Sequence, residues 1–215
     1  EEAKERCNST YFPGICVPMI PKELSCELCS LKPKVNRLAV TVEMHFNEEG
    51  EMQDYEIYRS VIHSQHRFTY ESAKEVLDGK RRSTHAPMLK DMLALCGLLK
   101  KQRAKRGSIE FALSEVCVLV DDQGVPQGLQ RSEYDETHQL VEEFMVKTNE
   151  TIATHLTKEN KPVPYRIHDQ PSAESIKNFV RIARGFGYNV KNNPEIDDFK
   201  QLFEDAKGTS NETLI

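Results

Sequence analysis

The stretch between Ser9 and Pro33 contains Cys26 and Cys29 in the spacing Cys-Glu-Leu-Cys. Two thiols at this spacing occur in zinc sites and in redox sites. A structural zinc site needs four ligands, and the sequence holds no second Cys-x-x-Cys and no His-x-x-x-His. Because the other cysteines are scattered, buried or partly buried reduced thiols are the simpler interpretation. The alternative is a zinc-stabilised protein-interaction module, which metal analysis of the purified chain would test.

His63 and His66 also have the appearance of a metal-binding pair. On a strand, residues three apart point to opposite faces, so the two imidazoles cannot share one ion unless the strand bulges there. Asp121 and Asp122 fall where a hairpin turn is expected, and turn chemistry accounts for them. We therefore expect ordinary structural roles for both pairs.

A strong helical pattern over 135–156 places three polar residues, His138, Glu142 and Asn149, along one edge of the helix. Glu143 points about a quarter turn away from that edge. A polar line beside an apolar stripe is either an ordinary solvated rim or the wall of a site. The pattern alone leaves both interpretations open.

The run KKQRAKR at 100–106 places five basic residues at the end of a predicted helix. Cations there complement the negative end of the helix dipole, which explains the run without a ligand. A strip of phosphate contacts is the functional alternative.

Two aromatic residues could serve as stacking platforms for bases. Tyr11 lies in the proline-stiffened stretch, where little side-chain entropy would be lost on binding, and Phe111 follows Gly107 on a predicted short strand. From the residues alone, packing in the core is the ordinary interpretation of both rings.

The elements that must position these residues form a mixed α and β fold. An alternating run at 37–46, turn residues at 47–51 and a returning strand at 52–64, long enough to need a bulge, predict an antiparallel hairpin. Short strands are predicted around a turn at 122–124 and at 164–169, and residues 1–37 are predicted to be irregular. Helices are predicted at 69–79, 85–107, 135–156, 171–187 and 194–208.

Apolar spacing also predicts which faces these elements bury. For the first strand of the hairpin the predicted face is Leu38, Val40, Val42 and Met44. For the helix at 85–107 it is Met88, Met92, Leu95, Leu98 and Leu99. For the helix at 135–156 it is Val141, Phe144, Met145, Thr148 and Ile152.

Composition limits the classes of protein to which the chain can belong. Its 215 residues, 38% hydrophobic and 29% charged, are enough for one large or two small packed domains. No apolar run reaches the roughly 18 residues of a membrane span, and the charged beginning EEAKERCNST is unlike a signal peptide. The absence of an initial Met suggests a piece of a longer protein. A net charge of −5 argues against a nonspecific nucleic-acid coat, but not against an enzyme with a narrow basic channel.

Several stretches together resemble one family, in order and over nearly the whole chain. They are RCNSTYFPGICVPMIPKELSCELCSLKP, the segment from Arg37 to Gly79, RGSIEF, HQLVEEFMVKTNETIA and PYRIHDQPS. The family is the RNB exoribonucleases, the ribonuclease II and ribonuclease R group, with the ribonuclease R branch most similar. Cys29 falls at a cysteine of the family pattern, whereas Cys7 replaces the usual glycine.

The resemblance implies that the chain is the central fragment of an α+β RNB catalytic domain. The family hydrolyses RNA processively from its 3′ end to nucleoside 5′-monophosphates, uses Mg²⁺ and is cytoplasmic. Its Mg²⁺ ligands lie in an Asp-rich motif, D-x-x-x-x-x-D-x-D-D, that this sequence lacks. The arginine motif S-P-I-R-R-Y and the cold-shock and S1 domains are lacking too. We therefore expect no catalytic or metal-binding residue within the chain. The rival hypothesis is a noncatalytic RNA-binding relative.

Carried over residue by residue, the resemblance assigns substrate handling to four side chains. Tyr11 and Phe111 match the two aromatics that clamp the bases at the 3′ end. Tyr70 and Glu142 match the pair that contacts a ribose near that end, where a 2′-hydroxyl distinguishes RNA from DNA. Single-stranded RNA is the implied partner.

Overall fold

A computed structural model describes residues 1–109, 115–132, 134–167, 169–212 and 214. The chain divides into two compact units, Glu1–Leu99 with Ser114–Thr148 and Lys100–Leu113 with Asn149–Ile215. The elements are α1 (Glu2–Arg6), β1 (Thr10–Phe12), β2 (Ile15–Val17), a π-helix (Glu23–Leu28), β3 (Asn36–Phe46), β4 (Met52–His63), α2 (Tyr70–Leu77), α3 (Ala86–Lys105), β5 (Glu115–Val120), β6 (Pro126–Ser132), α4 (Glu136–Lys158), α5 (Ala173–Gly185) and α6 (Ile196–Ala206). The mixed fold with short antiparallel sheets and the five predicted helices are confirmed.

The prediction that residues 1–37 are irregular is wrong. β1 and β2 form a hairpin in which Tyr11 is paired with Cys16, and Gly14 in its turn has a φ of 72°. The prolines of this segment lie outside β1, β2 and the π-helix. A high proline content is therefore compatible with short strands and a helical turn.

Cys7 follows α1 with an unusual backbone conformation, φ 61° and ψ −32°. The amide of Asn8 donates to the carbonyl of Arg6 at 2.7 Å, which closes a three-residue γ-turn around Cys7. Turns of this kind with positive φ are rare and strained for residues that carry a Cβ. The strain falls at the position where the resemblance described above leads us to expect glycine.

The predicted hairpin is confirmed as β3 and β4, with a bulge where the pairing shifts between His45 and Phe46. The prediction that β3 buries its first apolar residues is wrong, because Leu38 is 84% exposed and Val40 is 66% exposed. The opposite face of that end of the strand, with Ala39 and Thr41, is the half-buried one. Val42 and Met44 are half-buried as predicted, so alternation predicted the strand correctly and the covered face of its second half only.

The turn at the tip of this hairpin packs closely against α3. Gly50 is buried with a φ of 77°, and a Cβ built on it would lie 2.6 Å from the Cβ of Leu98. α3 buries Leu89, Cys96 and Leu99 and leaves Met88 half exposed, so the stripe predicted from spacing is correct only in part.

The helix α4 also buries a different face from the predicted one. Thr137, Leu140, Glu143 and Thr151 are buried, whereas Val141 and Met145 are exposed. Three of the four buried residues are polar, two threonines and a glutamate, so the spacing of apolar residues does not indicate this face. This rotation leaves His138 and Glu142 half-buried at the border of the buried row.

In the second unit, α5 and α6 pack around a small core. Val180, Ala183, Val190 and Leu202 are buried there, and Phe179 lies against both Phe199 and Phe203 of α6. Ser172 caps α5 as predicted, by accepting from the amide of Ser175 at 3.1 Å. The predicted strand at 164–169 is wrong, since residues 164–167 and 169 have no regular structure.

Among the residues that the structure describes, no helix has both the length and the apolar character needed to cross a bilayer.

Candidate functional site

Tyr70 is placed by the start of α2. Thr69 caps this helix by accepting from the amide of Ser72 at 3.2 Å, while the hydroxyl of Ser72 accepts from the amide of Thr69 at 2.8 Å. This reciprocal pair fixes the first helical residue, which is Tyr70. The ring of Tyr70 is 42% exposed and is therefore not a core residue.

One turn further along α2, Lys74 connects this helix to α4. Its ammonium lies 2.8 Å from a carboxylate oxygen of Glu136 and 2.9 Å from one of Asp78. The hydrogen bond to Glu136 raises the pKa of Lys74 above its ordinary value, and the bond to Asp78 adds to this effect. Lys74 is therefore a cation at neutral pH. The first residue of α4 is thus tied to the second turn of α2.

Asp135 defines the beginning of α4. One oxygen of its carboxylate accepts from the amide of Thr137 at 2.9 Å, from the hydroxyl of Thr137 at 2.6 Å, and from the amide of His138 at 3.4 Å. Partial burial opposes ionisation of this carboxyl, but the bonds from Thr137 and His138 outweigh it and lower its pKa to about 2. Asp135 is therefore a charged helix cap at neutral pH.

His138 links that cap to Tyr70. Its Nδ1 lies 2.9 Å from the Asp135 carboxylate, and its ring stacks on Tyr70 with centroids 3.8 Å apart and planes inclined by 22°. The ring of Tyr134 lies on the same imidazole, with centroids 5.7 Å apart. His138 is thus in contact with an aromatic residue from α2 and with another that precedes α4.

Tyr134 completes the connection, because its hydroxyl donates a hydrogen bond to the Glu142 carboxylate. We call Tyr70, Tyr134, Asp135, His138 and Glu142 the Tyr70 cluster. The structure therefore links Tyr70 and Glu142, the two residues paired by the resemblance, through Tyr134 and His138. The cluster offers aromatic faces, phenolic hydroxyls and carboxylates, which suit a ligand that combines hydroxyl groups with flat rings.

The pKa of a further acid, Glu71, is affected by residues of this cluster. Hydrogen bonds from its own backbone amide and from Thr69 lower its pKa, and the nearby His138 contributes in the same direction. Negative charge therefore flanks His138 from α2 as well as from Asp135.

Tyr11 projects from the β1–β2 hairpin with 77% of its surface exposed. Two hydrogen bonds close the open end of the hairpin: Arg6 donates to the carbonyl of Pro18 at 2.7 Å, and the hydroxyl of Ser9 accepts from the amide of Met19 at 2.9 Å. Its tip also packs closely, since a Cβ on Gly14 would lie 2.8 Å from Val120. Tyr11 is thus not packed into a core formed by these 215 residues. Phe111, its predicted counterpart, lies outside the described residues.

Among the other candidates from the sequence, the histidines and Asp121 make structural contacts. Cys26 lies within the π-helix and Cys29 at its end, and both are exposed, so the expectation of buried or partly buried thiols is wrong for this pair. His63 lies 2.8 Å from the side chain of Asn36, whereas His66 packs on Phe68 and His85. Asp121 holds its turn by accepting from the amides of Gln123 and Val125, both at 2.9 Å.

Magnesium does not fit the side chains at hand. Over the described ranges, no three His, Cys, Asp or Glu residues come together in a way that could hold a metal ion. No step of a reaction is therefore assigned to a metal held by this chain.

The basic run at 100–106 is partly engaged within the second unit. Arg106 makes two hydrogen bonds to Glu150, at 3.0 and 3.1 Å, and Lys200 donates to the carbonyl of Ala104 at 3.3 Å. These contacts give Arg106 a carboxylate partner within the chain. Phosphate contact by the remaining cations stays a prediction.

Sequence reasoning missed Tyr134 and Asp135. For Asp135 a signal was present, since Asp-Glu-Thr-His before an apolar run has the pattern of a helix cap. Tyr134 lies before the helix, and no periodicity connects it with Glu142. Glu142 and His138 were found because they share one helix edge.

Comparison with known proteins assigns the family. The RNB domain matches residues 1–215. Ribonuclease R of Chlamydia pneumoniae is 38% identical over 205 residues, 95% of this chain and 30% of that protein. Ribonuclease R of Aquifex aeolicus is 38% identical over 222 aligned positions, 100% of this chain and 32% of that protein.

A solved structure agrees with this assignment. Mycoplasma genitalium RNase R in complex with ribose methylated single-stranded RNA has a TM-score of 0.89 at 28% identity, over 99% of this chain and 34% of that one. The chain spans about a third of the length of these relatives. It matches them with both its sequence and its arrangement of helices and short antiparallel sheets, and it belongs to the RNB family.

Proposed function

We propose that this chain is part of the RNB catalytic domain of a cytoplasmic exoribonuclease that degrades single-stranded RNA processively from its 3′ end to nucleoside 5′-monophosphates. Within that enzyme the chain handles the RNA 3′ end. Relatives named ribonuclease R support the activity, and the complex of the Mycoplasma protein with single-stranded RNA supports the substrate. The observation that carries the proposal is the Tyr70 cluster, in which two aromatic rings and the Asp135 carboxylate adjoin the imidazole of His138, and the phenol of Tyr134 donates to Glu142.

The cluster has the chemistry needed to recognise a ribose. A 2′-hydroxyl both donates and accepts, and its presence is the difference between RNA and DNA at a given sugar. An ionised Glu142 accepts hydrogen bonds only, so it would accept a hydrogen bond from the hydroxyl, while the phenol of Tyr70 can donate or accept. Recognition at one sugar is compatible with any base sequence.

The bases would be held by Tyr11 and Phe111. A base stacked on an aromatic ring contributes about 1–3 kcal/mol regardless of its identity. The exposure of Tyr11 on an anchored hairpin supports this role, because the ring face is available before RNA binds. Sequence-tolerant stacking suits an enzyme that must accept every base in turn.

The chemical step is not assigned to this chain. Magnesium would supply activation of water and stabilisation of the leaving oxygen in the complete enzyme. We propose that its ligands lie in a part of the protein outside these 215 residues, and that the chain contributes binding and orientation.

The test measures sugar discrimination in the full-length protein that carries this chain. RNA and DNA oligonucleotides of one sequence are titrated in EDTA against the parent protein, Glu142→Ala and the charge-matched control Glu159→Ala, an exposed position. Loss of one hydrogen bond of about 0.5–1.5 kcal/mol should weaken RNA binding by roughly 2- to 13-fold and DNA binding much less. Equal losses for RNA and DNA would refute the ribose role, and loss in the control would show a nonspecific charge effect.

A further inference from the structure

We propose that Tyr134 and His138 are positioning residues for sugar recognition: Tyr134 orients the carboxylate of Glu142, and His138 orients the ring of Tyr70. This inference rests on the proposed function, because it names the groups that hold the proposed ribose pair in place. Neither residue is thought to touch the RNA.

The case for Tyr134 rests on its bond to Glu142. A glutamate side chain rotates about three bonds, and ordering such a chain costs up to about 2 kcal/mol of entropy when the ligand must do it. The phenol donates to the Glu142 carboxylate, a contact made wholly within this chain. Bonds to an ionised acceptor are stronger than neutral ones, so this contact is suited to fixing the carboxylate.

The bond leaves Glu142 with the capacity to bind a sugar. An ionised carboxylate has about four lone-pair sites over two oxygens, and the bond from the phenol takes only one of them, beside any other contact of Glu142. A 2′-hydroxyl can therefore be accepted together with the Tyr134 proton. A carboxylate fixed in advance binds such a hydroxyl with a smaller loss of entropy than a mobile one.

The case for His138 rests on two contacts that restrain its ring. Its Nδ1 is held at 2.9 Å by Asp135, and Asp135 is held by the first turn of α4. The imidazole stacked at 3.8 Å on Tyr70 therefore provides a surface fixed to the start of α4. Lys74 restrains the same two helices one turn away, so the Tyr70 ring is located relative to α4 by both contacts.

These contacts lie at the border of the buried region and not within it. Tyr134 and His138 are both half-buried, and Tyr70 is partly exposed. A positioning role would therefore lower the ratio of RNA to DNA affinity while changing the melting temperature little. A purely structural role would lower the melting temperature and leave that affinity ratio unchanged.

The test compares conservative variants in the full-length protein. Tyr134→Phe removes one hydroxyl and keeps the ring. His138→Phe keeps a ring against Tyr70 but loses the bond to Asp135, and His138→Ala loses both contacts. The readouts are the ratio of affinities for RNA and DNA oligonucleotides of one sequence and the melting temperature of each variant.

We expect Tyr134→Phe to lower the RNA to DNA affinity ratio about 2- to 10-fold, with a melting temperature close to that of the parent. We expect His138→Ala to lower the ratio and His138→Phe to restore part of it. In the Glu142→Ala background, Tyr134→Phe should lower the ratio no further, because the group it positions is gone.

The outcomes separate this inference from the proposed function. If Glu142→Ala lowers the ratio but Tyr134→Phe and both His138 variants do not, the positioning roles are wrong and the ribose role stands. If Tyr134→Phe lowers the ratio equally with and without Glu142, Tyr134 acts elsewhere and its assignment is overturned. If Glu142→Ala leaves the ratio unchanged, the ribose role and the positioning roles are both wrong.

Discussion

The ring of Tyr70 stacks on the imidazole of His138 with centroids 3.8 Å apart, although α3 and the β5–β6 hairpin lie between them in the chain. One turn along α2, Lys74 contacts Glu136 at 2.8 Å. Two contacts, one aromatic and one ionic, thus join the beginnings of α2 and α4. The residues predicted to bind the ribose therefore lie near the first turns of α2 and α4. The start of each of these helices is set by its cap, Thr69 for α2 and Asp135 for α4.

Removal of the α4 cap should weaken the fold in a pH-dependent way. Asp135→Ala deletes the acceptor for the amides of Thr137 and His138, which costs about 0.5–2 kcal/mol at neutral pH. The folded-state pKa of Asp135 is about 2 and its ordinary value is 3.8, so between these values the unfolded chain binds more protons. The stabilisation is therefore complete above pH 4 and is lost as the pH falls towards 2.

Urea unfolding of the parent and Asp135→Ala at several pH values checks this. The gap between their free energies of unfolding should be widest above pH 4 and should close as the pH approaches 2. Asp122→Ala, at an exposed position of the β5–β6 turn, is the matched control. A gap that stays constant over this range would contradict the assigned protonation behaviour.

The exposed ring of Tyr11 should matter for RNA and not for stability. Tyr11→Ala should weaken binding of a short single-stranded RNA by roughly 10- to 100-fold, because a stacking surface is lost. Its effect on unfolding should stay within about 0.5 kcal/mol, as for other exposed sites. Affinity and melting are measured on the same variant, with Tyr11→Phe as the control that keeps the ring. A large melting shift with unchanged affinity would contradict the clamp.

Phe111 provides the parallel test of the clamp. Phe111→Ala should weaken short-RNA binding to a similar degree in the full-length protein while leaving the fold intact. If the ring instead belongs to the core, the same substitution should lower the free energy of unfolding by about 3–5 kcal/mol. Melting and affinity measured together distinguish the two roles.

Replacing Cys7 with glycine should stabilise the protein. The γ-turn at φ 61° and ψ −32° strains a residue with a Cβ, and relief of such strain is worth about 1–3 kcal/mol, less the roughly 0.4–1 kcal/mol by which glycine favours the unfolded chain. We expect Cys7→Gly to gain about 1 kcal/mol in chemical denaturation. Cys7→Ala keeps the Cβ and should gain little. If the two variants gained the same free energy of unfolding, the removal of the thiol, and not the relief of backbone strain, would explain the gain. If neither variant gained stability, the backbone at Cys7 would not be strained.

The 215-residue chain alone should release no mononucleotides from 3′-labelled single-stranded RNA in the presence of Mg²⁺. The sequence lacks the Asp-rich motif that the resemblance assigns to the metal, and the described residues form no group of three metal-ligating side chains. The full-length protein, assayed in parallel, is the positive control. Mononucleotide release that follows the purified chain through successive columns would show that the catalytic groups are within it.

The sequence predicted helices and turns more reliably than faces. Thr69 and Ser172 cap the helices assigned to them, and positive φ values occur at Gly79, Gly107 and Gly187, because capping and left-handed turns depend on local chemistry. The buried row of α4 could not be predicted in this way. Its Thr137 donates to Asp135, so a polar residue is buried with its bond satisfied and escapes a search for apolar spacing.

The candidate site could be predicted only in part for a related reason. Helical spacing placed His138 and Glu142 on one edge, but Tyr70 comes from another helix and was paired with Glu142 only through the family resemblance. Tyr134 reaches Glu142 from before the helix, a contact set by tertiary structure. The periodicity of a single sequence indicates which residues share one face of a helix or strand. It does not indicate contacts between segments that are distant in the chain.

The burial of Gly50 against Leu98 has a consequence for protein engineering. Asn47–Glu51 and Asp121–Val125 are both short polar turns containing glycine, and both would be chosen from sequence as places to insert a tag or fluorophore. At Gly50 a single added Cβ would already lie 2.6 Å from Leu98, whereas a Cβ at Gly124 would meet no atom of the described residues within 4 Å. An inserted peptide at 122–124 should leave folding intact, and the same peptide at 48–50 should separate the hairpin from α3. The two turns are thus unequal as attachment points, although their sequences look interchangeable.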